Sequence, residues 1–217
     1  SWKETPFFWK WTGFSKTRKI RSPRNYYKNF STPFRIFCQQ TDKVRFIMIK
    51  HIYFLRHFPT ENNLNHVLNG RSLTTPIVNS TPIHWEDSIN DIFSSSALRC
   101  RQTIECFSQS TLSSITYTDL LLERDLGIFE GQPRNQMQTQ YPTLFFNSKL
   151  IVFATPPKGE TFSIFQNRIR TFWNICNNTS HGSVLICSHN QTLKMLYFII
   201  KKSGNTIMCC LLIKYMY

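Results

Sequence analysis

The chain has 217 residues, of which 41% are hydrophobic, and it carries a formal net charge of +14. This length and composition suffice for one α/β domain with a packed core. No transmembrane helix is predicted, because no apolar run approaches about eighteen uninterrupted residues. The composition excludes glycine-rich nucleotide-binding loops, because only 7 glycines occur and none lies in such a motif.

The positive charge is concentrated at the N-terminus. Twelve of the 26 Lys and Arg residues lie in residues 1–50, against two of the 12 acidic residues. We therefore divide the chain into a basic, aromatic N-terminal extension (1–44) and a domain (45–217). The extension is predicted to be poorly ordered. The alternatives are an organellar transit peptide and an arm that binds nucleic acid or an acidic partner.

The seven cysteines contain no C-x-x-C pair. Neither a disulfide framework nor a zinc site is therefore predicted, and no metal or cofactor is expected. We interpret the cysteines as reduced thiols of an intracellular, cytoplasmic protein. No secretory signal peptide is visible.

The apolar pattern predicts alternating strands and helices from residue 46 onward. In chain order these are a strand at 46–55, a short strand at 92–93, a helix at 97–107, an edge strand at 115–117, a helix at 161–176, a strand at 183–187 and a helix at 191–201. Ser94, Ser95 and Ser96 are expected to cap the first helix. The alternation predicts an α/β fold with a mostly parallel sheet.

Arginine or histidine side chains follow three of these strands. The first strand is followed by Arg56 and His57, the strand at 183–187 leads to His189, and the strand at 92–93 leads to Arg99. In parallel sheets, ligands bind outside the carboxyl ends of the strands. Two arginines can hold a phosphate, one imidazole can attack phosphorus, and another can stabilise the phosphate oxygens. The sequence therefore predicts a phosphate pocket, which still needs a carboxylic acid to protonate a leaving alkoxide.

Six segments occur in an order typical of one protein family. They are RHFPTENN (56–63), NGR (69–71), SSALRCRQT (95–103), LERDLGIFEG (122–131), PKGET (157–161) and VLICSH (184–189). Together they resemble the motifs of the histidine phosphatase superfamily, the phosphoglycerate-mutase-like enzymes, over about residues 50–202. The resemblance implies a three-layer sandwich with a mostly parallel central sheet flanked by helices.

The resemblance also implies a role for each matching residue. His57 is the nucleophile, Glu123 the proton donor and His189 the second pocket histidine; Arg56, Arg99 and Asn63 bind the phosphate, and Glu160 is structural or peripheral. The reaction it implies needs no metal.

Two of these assignments have rivals close by in the sequence. Arg101 lies two residues from Arg99 and is interpreted as a solvated helix charge. Asp125 and Glu130 compete with Glu123. The register of the resemblance favours Arg99 and Glu123 and assigns Glu130 to a turn.

The chain departs from the family pattern at three places. Phe58 and Asn190 stand where the family has glycine, and residues 204–217 match no expected last strand. Glycine after the nucleophile lets the backbone approach the phosphate closely. We therefore expect Phe58 to crowd the pocket or to form an apolar wall.

The connection between residues 131 and 157 separates two functional alternatives. It is short and carries only Arg134 and Lys149 as basic residues, whereas mutases of the family carry a longer insertion. The sequence therefore favours a phosphomonoesterase of the histidine acid phosphatase type, with a small phosphorylated metabolite as substrate. The alternatives are a cofactor-dependent phosphoglycerate-type mutase and an inactive member that binds a phosphorylated ligand.

Overall fold

The computed structural model describes residues 49–83, 85, 88–107, 114–203 and 208–212, the last of these as backbone only. The predicted extension, 1–44, and the start of the predicted first strand lie outside these residues. Among the described helices, none is long and apolar enough to cross a bilayer.

The central sheet of the described chain has five strands, all parallel. The strands are β1 (Ile49–Arg56), β2 (Asp91–Ser95), β3 (Ile115–Thr118), β6 (Gly182–Ser188) and β7 (Met208–Leu212), with β4 (Phe145–Phe146) and β5 (Lys149–Leu150) forming a separate antiparallel hairpin. Their order in the sheet is β3-β2-β6-β1-β7. The mostly parallel sheet is confirmed, and β3 lies at its edge as the sequence predicted.

The described helices follow the predicted order, with two short additions. They are α1 (Glu61–Leu64), α2 (Leu98–Glu105), α3 (Arg134–Gln140), α4 (Phe162–Thr179) and α5 (Asn190–Lys202). In α4, the apolar residues spaced three and four apart form one buried face, which comprises Phe165, Ile169, Phe172, Trp173 and Cys176. Thr161 caps this helix because its hydroxyl accepts a hydrogen bond from the Ile164 N–H at 3.2 Å.

Helices cover both faces of the sheet. In β1, Ile52 and Phe54 share a core cluster with residues of α4 and α5, whereas Tyr53 and Leu55 share another with residues of α2. Successive strand residues point to opposite faces, so a strand that is buried on both faces is apolar throughout. The result is the three-layer sandwich that the resemblance implied.

The predicted serine cap of α2 is wrong. Ser94 and Ser95 are the last residues of β2, where they pair with β6 and β3. The N-cap of α2 is Ala97, whose side chain makes no capping bond, and the Ser96 hydroxyl donates to Asp119 instead. Ser94 pairs with Cys187 of β6 and Tyr117 of β3, and Ser95 pairs with Thr118 of β3; these pairings keep both residues in the sheet.

Besides the short helix α1, three elements were not predicted from the sequence. Strand β7 pairs with β1 in parallel register from Met208 opposite His51 to Leu212 opposite Leu55. Helix α3 and the β4–β5 hairpin lie in the connection between residues 131 and 157, in which no helix or strand was predicted. They enclose a separate apolar cluster, which comprises Leu68, Leu126, Phe129, Met137 and Phe145.

Gly127 allows two loops near the sheet edge to touch. Its φ is +54°, and an added Cβ would lie 2.1 Å from the Pro157 carbonyl oxygen and 2.4 Å from the Gly159 nitrogen. Gly131 is a matched control, since its φ is +74° and the described residues leave its Cβ position open to 4 Å. We expect Gly127→Ala to lower the free energy of unfolding by ~3 kcal/mol or more, because backbone strain and a backbone clash add.

Gly131→Ala should cost only the left-handed conformation, about 1 kcal/mol. Urea unfolding of both variants measures the difference. Equal losses would show that the two loops are not in close contact.

Candidate active site

The carboxyl ends of four strands meet around a small cavity of about 100 Å³. His57 follows β1, His189 follows β6, Arg99 lies in the first turn of α2 after β2, and Glu123 comes after β3. All six residues predicted for the site line this cavity: Arg56, His57, Asn63, Arg99, Glu123 and His189. A larger cavity of about 660 Å³ lies between residues 77–83 and 102–107, but it contains none of them.

His57 is buried and held by backbone groups. Its backbone N–H donates to the Ser188 carbonyl at 3.1 Å, and its ring Nδ1 lies 2.6 Å from the Phe58 carbonyl oxygen. A carbonyl only accepts, so Nδ1 carries the hydrogen and the lone pair is at Nε2. Burial, followed by the charge of Arg99, lowers the pKa of His57 to about 3. The ring is therefore neutral at physiological pH, as a nucleophilic imidazole must be.

His189 lies beside His57, with 5.1 Å between the ring centroids. Its Nδ1 accepts a hydrogen bond from Nε of Arg99 at 3.2 Å, so its Nε2 donates to the Ser95 hydroxyl at 2.9 Å. Burial first, and then the charge of Arg99, lowers the pKa of His189. In this arrangement His189 is neutral and orients Arg99.

Arg99 is fully buried at the base of the cavity. Besides the bond to His189, its Nη1 donates to the Ser72 carbonyl at 2.5 Å and its Nη2 to the Gly70 carbonyl at 3.0 Å. Burial lowers the pKa of Arg99, but a guanidinium stays protonated in proteins. Among the described residues these contacts use three of its five N–H groups, so two remain for an anion.

The Glu123 carboxylate lies at the N-terminus of α5. One oxygen accepts from the Gln191 N–H at 3.2 Å, and the other accepts from the Thr192 N–H at 3.2 Å and from the Arg124 N–H at 3.0 Å. These N–H groups of the first helical turn have no partner within the helix, and the oxygens of Glu123 satisfy them. The helix end thus fixes the carboxylate at the cavity.

Asn63 and Arg56 complete the predicted set. The side-chain oxygen of Asn63 accepts from the Thr60 N–H at 3.2 Å and from its hydroxyl at 3.0 Å, which closes the cap of α1. Among the residues that the structure describes, no hydrogen bond uses the amide hydrogens of Asn63, so they can serve a ligand. Arg56 is half-buried at the end of β1 and lines the cavity.

The rival residues are engaged outside the cavity. A Glu130 oxygen accepts from the Arg71 N–H at 2.7 Å and the Leu126 N–H at 3.1 Å, and Asp125 accepts from the Gly127 N–H at 2.7 Å. These carboxylates hold turns. The Arg101 guanidinium lies 4.3 Å from the centre of the Tyr117 ring.

The expectation that Phe58 crowds or walls the pocket is wrong. Its side chain is buried and is not part of the cavity lining. Its N–H donates to the Thr103 hydroxyl at 2.9 Å, which turns the backbone so that the carbonyl faces His57. Phe58 therefore contributes to the site through its carbonyl group.

Two residues that support the site, Ser95 and Arg168, were not predicted from the sequence. Ser95 accepts the hydrogen of His189, and Arg168 contacts the backbone of Glu123. Ser95 was interpreted as a helix cap, and Arg168 carried no signal because it lies in the middle of a helix, outside the six family-like segments. Among the described residues, no group of three or more His, Cys, Asp or Glu could hold a metal ion.

Comparison with known proteins gives a consistent picture. The sequence model of the histidine phosphatase superfamily (branch 1) matches residues 85–208, which is more than half of the chain. The matched range begins after His57. No curated protein matches the sequence.

Three solved structures illustrate the similarity of the fold. A mycobacterial glucosyl-3-phosphoglycerate phosphatase has a TM-score of 0.57 and 19% identity, covering 69% of this chain and 80% of its own. YhfR of Bacillus stearothermophilus has a TM-score of 0.56 and 22% identity, and the match covers 70% of this chain and 79% of YhfR. The alpha-ribazole phosphatase of Shigella flexneri has a TM-score of 0.55 and 16% identity, and the match covers 69% of this chain and 78% of that phosphatase. At these identities the likeness shows the fold alone.

Proposed function

This chain belongs to branch 1 of the histidine phosphatase superfamily, and from that premise we propose that it hydrolyses phosphomonoesters through a phosphohistidine at His57. The observation that carries the proposal is the neutral His57 ring. Its Nδ1 hydrogen is held by the Phe58 carbonyl, so that Nε2 is unprotonated beside a buried arginine. An unprotonated nitrogen next to a fixed cation is what attack on a phosphoryl group requires.

In the first step, Nε2 of His57 forms a bond to phosphorus and the ester P–O bond breaks. Glu123 gives its proton to the departing oxygen, so the alcohol leaves neutral. In the second step, water attacks phosphorus and returns a proton to Glu123, and the N–P bond breaks. Inorganic phosphate is released, and the neutral histidine is restored.

Three residues hold the phosphoryl oxygens in this proposal. Arg99 supplies its two remaining N–H groups, Arg56 adds a second cation, and Asn63 donates through its amide hydrogens. Such prearranged donors act most strongly on the charge that spreads over the oxygens in the transition state. His189 supports the proposal by orienting Arg99, and we propose in addition that it contacts the bound phosphoryl group.

Glu123→Gln tests protonation of the leaving oxygen separately from the attack of His57 on phosphorus. We expect kcat/KM for an alkyl ester such as glycerol phosphate to fall by ~10²–10⁴-fold, because an alkoxide needs the proton. For p-nitrophenyl phosphate the expected loss is under about 10-fold, because nitrophenolate leaves without one. Steady-state release of inorganic phosphate measures both.

The exposed Glu105 of α2 provides the control, since Glu105→Gln should leave both rates unchanged. Equal losses on the two esters in Glu123→Gln would remove Glu123 from the role of proton donor.

The small phosphorylated substrate is sought with a panel of esters. The panel includes sugar phosphates, 3-phosphoglycerate, and the two esters named for similar structures, α-ribazole 5′-phosphate and glucosyl-3-phosphoglycerate. Phosphate release from any of these supports hydrolysis. Isomerisation of 3-phosphoglycerate without hydrolysis of any ester would replace the proposal by the mutase alternative.

A further inference from the structure

Arg168 is a buried arginine of α4 whose side chain is 10% exposed. Within the described chain it uses all five of its N–H groups. Nε and one hydrogen of Nη2 bind the Glu160 carboxylate at 2.9 and 2.8 Å. The other three hydrogens go to backbone carbonyls of Leu120 at 2.8 Å, Leu122 at 2.9 Å and Glu123 at 3.3 Å.

These carbonyls belong to one short segment, residues 120–123, which ends at the proton donor of the proposed reaction. The remaining carbonyl, of Leu121, accepts from the Ser188 hydroxyl at 2.6 Å, and the Thr192 hydroxyl adds a bond to Leu122 at 2.8 Å. Four consecutive carbonyls are thus held by buried donors, and Arg168 reaches three of the four. The backbone before the Glu123 side chain has little freedom to shift.

Glu160 keeps the guanidinium in place. The two side chains form a buried, two-pronged ion pair, the geometry in which a planar guanidinium fits a carboxylate. Burial alone raises the pKa of Glu160, but the hydrogen bonds and charge of Arg168 outweigh it, and the pKa is lowered overall. The Glu160 carbonyl also accepts from Arg124 at 2.9 and 3.1 Å. This pair is built into the protein rather than exposed to solvent.

We propose that Arg168, oriented by Glu160, is a positioning residue that places the Glu123 carboxylate for proton transfer. The proposal rests on the function proposed above, in which Glu123 protonates the leaving group. A displacement of about 1 Å at a reacting group can cost ~10²-fold in rate. Arg168 is not among the residues that line the cavity, so in this proposal it acts through the backbone of Glu123 and not by contact with the substrate.

The test uses Arg168→Lys, with Arg170→Lys as the matched control on the same helix. A lysine has three N–H groups on one nitrogen and cannot span the carboxylate and three carbonyls. We expect kcat/KM for glycerol phosphate to fall about 100-fold, and for p-nitrophenyl phosphate to fall under about 3-fold. Arg170 is exposed and contacts only Asn167 among the described side chains, so its variant should match the parent.

A second variant, Glu160→Gln, keeps the side-chain shape and one accepting oxygen but leaves the guanidinium without its counter-ion. It should show the same preference for the nitrophenyl ester, with a smaller loss. Circular dichroism and thermal unfolding check that each variant is folded. Equal losses on both esters, or failure of both variants to fold, would assign the pair a structural role only and overturn the proposal.

The Glu123→Gln variant distinguishes the two levels of the proposal. If Glu123→Gln shows the ester-dependent loss and the Arg168 and Glu160 variants do not, positioning by Arg168 is wrong while the proposed function stands. If Glu123→Gln itself shows no dependence on the ester, the proton donor assignment fails first.

Discussion

His57→Ala is expected to abolish turnover, with a loss of at least about 10⁴-fold in kcat, because it removes the nucleophile of the proposed reaction. The neutral ring of His57 has its lone pair at Nε2, whereas the lone pair of His189, at Nδ1, accepts a hydrogen bond from Arg99. The fold should survive, since the ring is small and its removal leaves the backbone bond between His57 and Ser188 in place.

The measurement combines phosphate release with acid-quenched trapping of a radiolabelled phosphoenzyme. The parent should carry an acid-labile label that maps to His57, and His57→Ala should carry none. His181→Ala is the control, because His181 is exposed and precedes β6 at the amino end of the sheet. A label at another residue would assign the role of nucleophile to that residue instead of His57. A parent that binds phosphate esters with no turnover, and binds them equally after His57→Ala, would support an inactive phospho-ligand-binding member.

Arg99→Lys is the second large effect that we expect, with kcat/KM lowered by ~10³-fold or more for every ester. The ammonium of lysine cannot hold Gly70, Ser72 and His189 together and still face the phosphate. The loss should not depend on the leaving group, because Arg99 acts on the phosphoryl oxygens rather than on the departing one.

Arg101→Lys is the matched control, since Arg101 lies two residues along the same helix and contacts the Ser96 carbonyl and the Tyr117 ring. We expect it to remain within about 2-fold of the parent, because surface charges contribute little. Phosphate release over a range of substrate concentrations measures both variants. A larger loss in Arg101→Lys than in Arg99→Lys would show that the sequence register was misassigned.

The elements that form the site were accessible from the sequence because their signals are local. Strand β1 is a continuous apolar run, and α4 and α5 place apolar residues at helical spacing. Strand β7 was not accessible. It is short and isolated, and only its pairing with β1, more than a hundred residues earlier, makes it a strand. The serine cap was misassigned because pairing between strands outweighed a local capping preference.

The sequence by itself determined which residues gather at the pocket. Parallel strands place their carboxyl ends at one edge, so His57, Arg99 and His189 were brought together by topology alone, and the family resemblance added Glu123, Arg56 and Asn63. Only the tertiary structure decided which contacts each group makes there. The Phe58 carbonyl fixes the ring hydrogen of His57 at Nδ1, and Arg168 holds the backbone of Glu123 from 45 residues away. A sequence pattern records local backbone preference and burial, whereas the acceptor that a buried donor meets is set by the packing of distant segments.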